Sequence, residues 1–455
     1  MSTVTFRSLG GGSSIGANCY VVGYDGDSII LDCGVHPKKE GIEALPELEN
    51  LDRPPLGVVV SHGHIDHCGA IPCLIERFPS ISCYGTVPTL SIMDRMLHNS
   101  VSVMETIAQE QGIREYPLYT HREVDKVFRK TFGIGFKREF TPVARKPFHI
   151  TFLPSGHVLG SASILLRTKK HVLLYTGDIC MTNQELMPGV RTQVPDVKVD
   201  TLVIESTRAA HEEAESGVFH SEVDRFAGES EKVLRRGGSI LVPSFALGRS
   251  QEILNVISRL IRNGKVPPVP VYASGLSRAI YEIYSRYSQY LRPQADLRPL
   301  FEFPRIGDVW DPKVRRDLLK QPCFIVATSG MMLENTPSAL IARDMVRNNK
   351  HAIFFVGYLD PDTLGYKVLH AKTGEAFAFE WEGEPIPIEM ENRQSFNLSA
   401  HAHRDELVDF IYRVRPKNVV FVHGDTEAVD WMYARCDGDF IKHRLEKDET
   451  ITLEA

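Results

Sequence analysis

The run Ser61-His62-Gly63-His64-Ile65-Asp66-His67-Cys68-Gly69 constrains this chain more than any other stretch of it. Four side chains able to bind a metal, His62, His64, Asp66 and His67, fall within six residues, directly after the apolar run Gly57-Val58-Val59-Val60. A core turn has no use for that composition, and one ion does not take all four ligands from so short a segment. On extended backbone, side chains two apart point the same way, so His62 and His64 can grip one ion together. Asp66 and His67 are adjacent and diverge, which lets them face a second. The segment reads as the nucleus of a two-metal site, and the fold must deliver the remaining ligands to it.

At 455 residues the chain is long for a single core, so two domains are expected. Hydrophobic residues at 43% and charged residues at 24% are ordinary for a globular protein. The formal charge of -6 supplies no general basic field. A nucleic-acid substrate would therefore be held locally, by metal ions, helix N-termini and a few Arg and Lys. Eight cysteines occur without a CxxC spacing, as expected of reduced thiols in a cytoplasmic protein. Cys33 and Cys68 flank the candidate site and read as small buried fillers. The start Met1-Ser2-Thr3-Val4-Thr5-Phe6-Arg7 lacks a basic segment followed by an apolar one, so no signal peptide is expected. Apolar runs are of strand length, so no membrane span is expected.

Strands are expected at Val4 to Leu9, Cys19 to Gly23, Ser28 to Asp32 and Leu56 to Val60, with glycine-rich turns between. Apolar residues three and four apart predict a helix over Thr89 to Gln111, and Thr120-His121-Arg122-Glu123 is a capping box opening another. Strands return at Phe148 to Leu153, Ser161 to Arg167, His171 to Thr176 and Thr201 to Glu205. This pattern suggests sheets layered between outer helices. The character changes near Arg208, where Arg208 to Gly217 is charged and carries no clear strand. Beyond it strand and helix alternate. A helix closes at Arg235-Arg236-Gly237-Gly238, a strand spans Ile240 to Pro243, and a helix begins near Gly248. A strand at Val269 to Tyr272 and a helix from about Ser274 to Leu291 follow. This is βαβ rhythm with a parallel sheet. Residues Thr373 to Gln394 are Glu-rich with strand-like patches, and ligand chemistry resumes from Asn397. The map is an α/β cassette inserted into a metal-binding domain that is thereby split in sequence.

Five further segments place a polar ligand where an apolar strand meets a loop: Asp32, His157, Asp178, Glu205 and His423. Such strand ends gather on one rim. Histidine with aspartate suits zinc, and Asp178 is the natural carboxylate to bridge two ions, whose shared water would then deprotonate near neutral pH. Isolated histidines such as His98, His121, His171 and His351 read instead as surface or satisfied core residues. Leu247-Gly248-Arg249, a strand-to-helix turn with a cation, is either a phosphate seat or plain cassette folding.

At these positions the chain resembles the metallo-β-lactamase superfamily, and within it the β-CASP nuclease branch, over essentially its whole length. The HxHxDH signature is His62, His64, Asp66 and His67; the third and fourth motifs look like His157 and Asp178. The branch adds an acid, here Glu205 in Glu-Ser-Thr, a histidine in Ser399-Ala400-His401, and a histidine in Val422-His423-Gly424. Pro243 to Glu252 and Ala327 to Met332 also resemble branch segments. The resemblance implies an α/β fold: an αββα sandwich, residues 1–207 and 393–455, split by a parallel-sheet β-CASP cassette, residues 208–392. It implies two zinc ions, one on His62, His64 and His157 and one on Asp66, His67 and His423, with Asp178 between them. Asp32 would orient a ligand histidine. His401, oriented by Glu205, would protonate the leaving oxygen while a hydroxide activated by the zinc pair attacks phosphorus. Ser399 and Ser329 would lie near the scissile phosphate.

DNA-acting members tend to carry valine where His423 stands, so the chain resembles the RNA-acting group. A cassette closing over the metal domain would leave a narrow cleft, which favours single-stranded RNA over duplex. Cleavage could be internal or from a 5′ end, and homodimerisation is left open. The sequence departs from the branch at Arg208-Ala209 after Glu-Ser-Thr, at His403, and at Leu333-Glu334-Asn335-Thr336. His403 reads as a solvated helix start rather than a second proton carrier. Competing expectations are a hydrolase of another ester or of DNA, and a non-catalytic subunit of an RNA-processing complex. The full set of ligands disfavours the last.

Overall fold

A computed structural model of the chain describes residues 3–191, 195–210 and 218–453. By their contacts they form two compact units. The first is drawn from Met1–Asn183, Gly189–Ala214 and His401–Ala455, the second from Gln184–Pro188 and Glu215–Ala400. The α/β class with an inserted parallel-sheet domain is the architecture observed.

The first unit contains two seven-stranded sheets. One runs Thr450–Leu453, Val4–Gly10, Cys19–Tyr24, Asp27–Leu31, Val58–Val59, Cys83–Gly85, Thr131–Gly133. The other runs Ile441–Arg444, Asn418–Val422, Thr201–Glu205, Val172–Tyr175, Ala162–Arg167, His149–Pro154, Glu139–Phe140. Side chains alternate across a strand, and here both faces of the central strands are covered, so the strands read as unbroken apolar runs. Ile29 and Leu31 enter the core between the sheets, with Phe6, Val22, Phe152, Ile164, Val203 and Val420. Ile30 points the other way, to Leu74, Met93, Leu97 and Val124 of the flanking helices. On the far sheet Leu202 and Ile204 pack on Leu407, Phe410, Val429 and Met432. The result is four layers, helix, sheet, sheet, helix.

The second unit holds a five-stranded parallel sheet in the order Val271–Ala273, Phe324–Ala327, Ile240–Pro243, Ala352–Phe355, Arg393–Ser395. Ile240, Val242, Phe324, Val326 and Phe354 face Phe226, Ile253, Leu254 and Ile257. Leu241, Ile325, Ile353 and Phe355 face Leu340, Ile341, Leu364 and Val368. The strand Arg393–Ser395 belongs to this sheet, so the cassette extends beyond residue 392; the chain turns back only after adding a fifth strand. Gln184–Pro188 also belongs to this unit. The buried Glu252 carboxylate accepts from the backbone N–H of Leu186 at 2.8 Å and Met187 at 3.0 Å, which ties the segment to the helix Arg249–Arg262.

The long helix spans Val87–Gln111, two residues earlier than periodicity alone suggests, because Thr86 caps it and Pro88 fits its first turn. The helix expected to run to Leu291 stops at Arg286 and gives way to a 3-10 turn, Ser288–Tyr290. Of the charged stretch Arg208 to Gly217, residues 211–217 lie outside the described residues. Among the described residues no helix is long and apolar enough to cross a membrane.

Candidate metal centre

Parallel strands end at the same edge of their sheet, and that places the donors together. Val172–Tyr175, Thr201–Glu205 and Asn418–Val422 are parallel neighbours, with Glu205 opposite Val422. Asp178, Glu205 and His423 therefore emerge on one rim. On the other sheet Asp27–Leu31 runs parallel to Val58–Val59, which brings Asp32 beside the segment 60–64. Asp32 and His423 both take left-handed backbone, φ 57° and 51°, as the chain leaves each strand. For residues other than glycine this conformation is uncommon and is kept where surrounding contacts demand it. Asp66 and His67 lie on the short helix Ile65–Cys68.

The donors converge in two groups, and the carboxylate of the first also faces the second. His62, His64, His157 and Asp178 form the first; Asp66, His67 and His423 form the second. In the first, His62 Nε2 is 2.9 Å from His64 Nδ1, and His157 Nε2 is 3.2 Å from the same Nδ1. In the second, His67 Nε2 and His423 Nε2 are 3.2 Å apart. Zinc–nitrogen bonds of about 2.0–2.1 Å in tetrahedral geometry put ligand nitrogens about 3.3 Å apart, so these rings stand where a shared cation would hold them. Asp178 turns Oδ2 toward His62 (3.4 Å) and His157 (3.5 Å), and Oδ1 toward His67 (3.3 Å) and His423 (3.1 Å). Asp178 Oδ1 and His423 Nδ1 are buried without a hydrogen-bond partner among the described residues. Buried polar atoms seldom stay so, and a cation facing Asp178 would satisfy its oxygen.

Charge points the same way. Burial opposes ionisation of Asp178, but His423, His67 and His62 outweigh it and hold its carboxyl well below the usual range. Burial, then His67, pushes His62 well below its ordinary value, so the ring stays neutral with a lone pair for a metal. Burial also works against a charge on His67; Asp178 and Asp66 override it and raise the value strongly. Acid groups thus converge on this point and call for positive charge there. The donor chemistry fits a pair of divalent cations.

Asp32 is fully buried and binds no candidate ion. Its Oδ2 accepts from His67 Nδ1 (2.8 Å), Ser61 Oγ (2.7 Å) and the Tyr175 hydroxyl (2.7 Å), and its Oδ1 from the Ser61 N–H (2.7 Å). Accepting a hydrogen bond from Nδ1–H keeps the proton on Nδ1 and fixes the tautomer that presents Nε2 to a metal. Ser61 and Tyr175 escape sequence reasoning: one reads as a turn residue and the other as core aromatic. Burial, followed by the charge of Asp32, drives the Tyr175 hydroxyl pKa upward and keeps it a donor.

Beside the shared carboxylate lies a third group, Asp178, Glu205 and His401. His401 Nδ1 is 2.9 Å from Glu205 Oε2. Glu205 is itself fixed by the Ile179 N–H at 2.6 Å and by the Thr207 hydroxyl. Burial lowers the His401 pKa, but the charge and hydrogen bond of Glu205 outweigh it, and the value is raised. Arg208 reaches the His401 carbonyl at 3.5 Å, so the departure after Glu-Ser-Thr sets a guanidinium against the His401 main chain.

The substrate residues expected from sequence fare differently. Ser329 is half-buried, and its hydroxyl accepts from the Leu333 N–H at 2.9 Å. Ser399 is half-buried two residues before His401. Arg249 is buried and its guanidinium donates to Gln184. The Gly248 N–H donates to Gln251 Oε1 at 2.8 Å and the Ser250 N–H to the Phe245 carbonyl at 3.1 Å. The turn 247–249 is thus filled by protein groups, and of its two readings the structure favours cassette folding. His403 caps the helix Arg404–Val414 but is buried rather than solvated. Of the isolated histidines, His98 stacks on His121, His351 accepts from the Ser239 N–H, and His171 pairs with Thr201 through Nε2 while its Nδ1 is buried without a hydrogen-bond partner among the described residues. Cys33 and Cys68 are buried fillers, and all eight cysteines are free thiols.

Comparison with known proteins agrees with this geometry. Family models match for the metallo-beta-lactamase superfamily over residues 15–216, the Beta-Casp domain over 250–368, and the Zn-dependent metallo-hydrolase RNA specificity domain over 385–443. RNase aCSPSF2 of Saccharolobus solfataricus is 31% identical over 423 residues, covering 92% of this chain and 79% of that protein. Probable RNase MJ4 of Methanocaldococcus jannaschii is 29% identical, with 93% of each chain covered. Cleavage and polyadenylation specificity factor 73 of Drosophila melanogaster is 29% identical over 92% of this chain, which spans 59% of that factor's length. A crystal structure of a protein of unknown function from Enterococcus faecalis V583 shares the fold, with a TM-score of 0.59, 15% identity, and coverage of 99% of this chain and 100% of that one. The chain therefore belongs to the metallo-β-lactamase superfamily, in its β-CASP branch.

Proposed function

We propose that the chain is a zinc-dependent ribonuclease that hydrolyses phosphodiester bonds of single-stranded RNA. One observation carries this reading: two donor groups share Asp178, and His401 stands beside that carboxylate on a rigid Glu205. In this proposal His62, His64 and His157 hold one zinc ion and Asp66, His67 and His423 the other. Such a pair, when bound, supplies a hydroxide at neutral pH and stabilises charge on both the attacking and leaving oxygens.

The protein's own residues then have distinct tasks. Asp178, with one oxygen toward each group, sets their spacing. Asp32 holds His67 in the tautomer that leaves Nε2 for a metal. Glu205 accepts a hydrogen bond from the Nδ1–H of His401, so Nε2 is the nitrogen that delivers a proton to the leaving oxygen. The buried Ile179 N–H and Thr207 hydroxyl keep Glu205 from turning away. Ser399 and Ser329 are the hydroxyls proposed to meet the scissile phosphate; Arg249, spent on Gln184, is not carried forward. The names of the archaeal relatives support RNA as the substrate class.

The test is incubation with single-stranded RNA labelled at its 5′ end, with and without chelator, beside duplex RNA and a thioester. The proposal expects chelator-sensitive cleavage of the single strand, with fragment lengths reporting internal or 5′-end cleavage. Hydrolysis of the thioester with RNA left intact would replace this reading by that of another ester hydrolase.

A further inference from the structure

The loop at residues 11–17, Gly-Gly-Ser-Ser-Ile-Gly-Ala, joins the strands Val4–Gly10 and Cys19–Tyr24, and both its ends are bonded to the metal donors. The His423 N–H donates to the Gly11 carbonyl at 2.9 Å, and the main-chain and side-chain N–H groups of Asn18 each donate to the Asp66 carbonyl at 3.0 Å. Glycine is required where the loop meets its neighbours: a Cβ at Gly12 would lie 2.4 Å from the Leu445 carbonyl, and one at Gly16, φ 108°, would lie 2.3 Å from Pro37. Between the two ends, the N–H groups of Gly12, Ser13, Ser14, Ile15 and Gly16 donate to no acceptor among the described residues.

Gly12, Ser13, Ser14 and Gly16 of this run line a cavity of about 120 Å³, which Lys39, Lys447 and His36 also line. A cavity of that size holds several waters and admits a phosphate group. Consecutive N–H groups pointing into a concavity bind anions well. Lys447 is paired with Glu47, which leaves Lys39 as the lysine of this lining with no carboxylate partner among the described residues. Burial, then Lys39 and Lys38, holds His36 below its ordinary pKa, so that ring contributes as a neutral donor. Glu43 and Glu446 line the same cavity and oppose a doubly charged guest. The surroundings suit a single negative charge held mainly by backbone donors.

We propose that this pocket seats one phosphodiester of the RNA strand, flanking the bond cleaved at the metal centre, with the loop amides and Lys39 Nζ as donors. The proposal rests on the ribonuclease reading and adds a subsite to it. The test is binding of a single-stranded oligoribonucleotide by fluorescence anisotropy, in chelator so that the strand stays intact, over a range of salt. Lys39→Gln is expected to weaken binding about tenfold, as for one lost charge-assisted hydrogen bond. It should also lower the slope of log affinity against log salt by about 0.7, the value for one phosphate contact on a single strand. Lys39→Arg should restore both. An uncharged methylphosphonate at one linkage flanking the cut should weaken the wild type equally and Lys39→Gln no further. Unchanged affinity and slope in Lys39→Gln, with a wild type that binds and cleaves RNA, would overturn the subsite alone. A wild type that neither binds nor cleaves RNA would sink the ribonuclease reading instead. In that case a bromide soak, a singly charged anion, decides the pocket: an anomalous peak against Gly12 to Gly16 keeps it as an anion seat of another source, and none there removes it.

Discussion

Replacing Asp32 by asparagine changes almost no volume and removes no proposed metal ligand, yet it should cost metal affinity. Oδ2 of Asp32 accepts from three donors, the Ser61 and Tyr175 hydroxyls and His67 Nδ1. If an amide NH2 stands there, the two hydroxyls can rotate and accept. His67 cannot rotate its way out. It must move its proton to Nε2, which blocks the nitrogen that faces His423 and Asp178. The lost interaction is then one charge-assisted hydrogen bond, about 1.5–3 kcal/mol. That converts to a roughly 10- to 150-fold weaker second zinc site, in line with the 10- to 100-fold cost typical of outer partners of ligand histidines. The first group, His62, His64 and His157, makes no contact with Asp32 and should keep its affinity. Competition against a chromophoric zinc chelator resolves two affinities in one titration. An Asp32→Asn protein binding two zinc ions as tightly as the wild type would refute the tautomer argument.

Other outcomes follow from the same geometry. His401→Ala should lower kcat about 10²- to 10⁴-fold while zinc content by elemental analysis stays at the wild-type value, because His401 belongs to neither donor group of the proposed pair. Glu205→Gln should show a smaller loss of kcat, since it disturbs the orientation of His401 and leaves the ring in place. In the cassette, Leu254→Ala removes a fully buried side chain and should destabilise by about 2–5 kcal/mol, read by urea unfolding. His351 gives a pH dependence independent of the metal centre. Burial, then Lys350 and Arg236, lowers its pKa from 6.5 to about 4, and the neutral ring accepts from the Ser239 N–H. Its contribution is complete above pH 6.5 and is lost as pH falls toward 4, by about 3 kcal/mol at the limit. The wild type should lose that much more stability than His351→Gln across this window.

The site was more legible in sequence than the packing around it. His62, His64, Asp66 and His67 lie in one segment, and Asp32, His157, Asp178, Glu205 and His423 each follow an apolar strand. A local pattern sufficed for all of them. The partners of Asp32 did not declare themselves, because Tyr175, 143 positions further along the chain, meets it only through the stacking of two sheets. Arg249 misled for a related reason. A cation at a helix start looks available to phosphate, and only the folded segment Gln184–Pro188 reveals the side chain that occupies it. The cassette boundary was missed because a fifth strand as polar as Arg393–Ser395 carries no apolar signal. The pairing of Thr450–Leu453 with Val4–Gly10, which closes the first sheet, joins residues from opposite ends of the sequence and has no local signature.

The central claim is that two donor groups, joined by Asp178, hold two zinc ions. Anomalous diffraction at the zinc edge, from crystals of protein purified without chelator, tests it most directly. Two peaks are expected, one within bonding distance of His62, His64 and His157 and one within bonding distance of Asp66, His67 and His423, with Asp178 touching both. A single peak, or peaks away from these side chains, would contradict it.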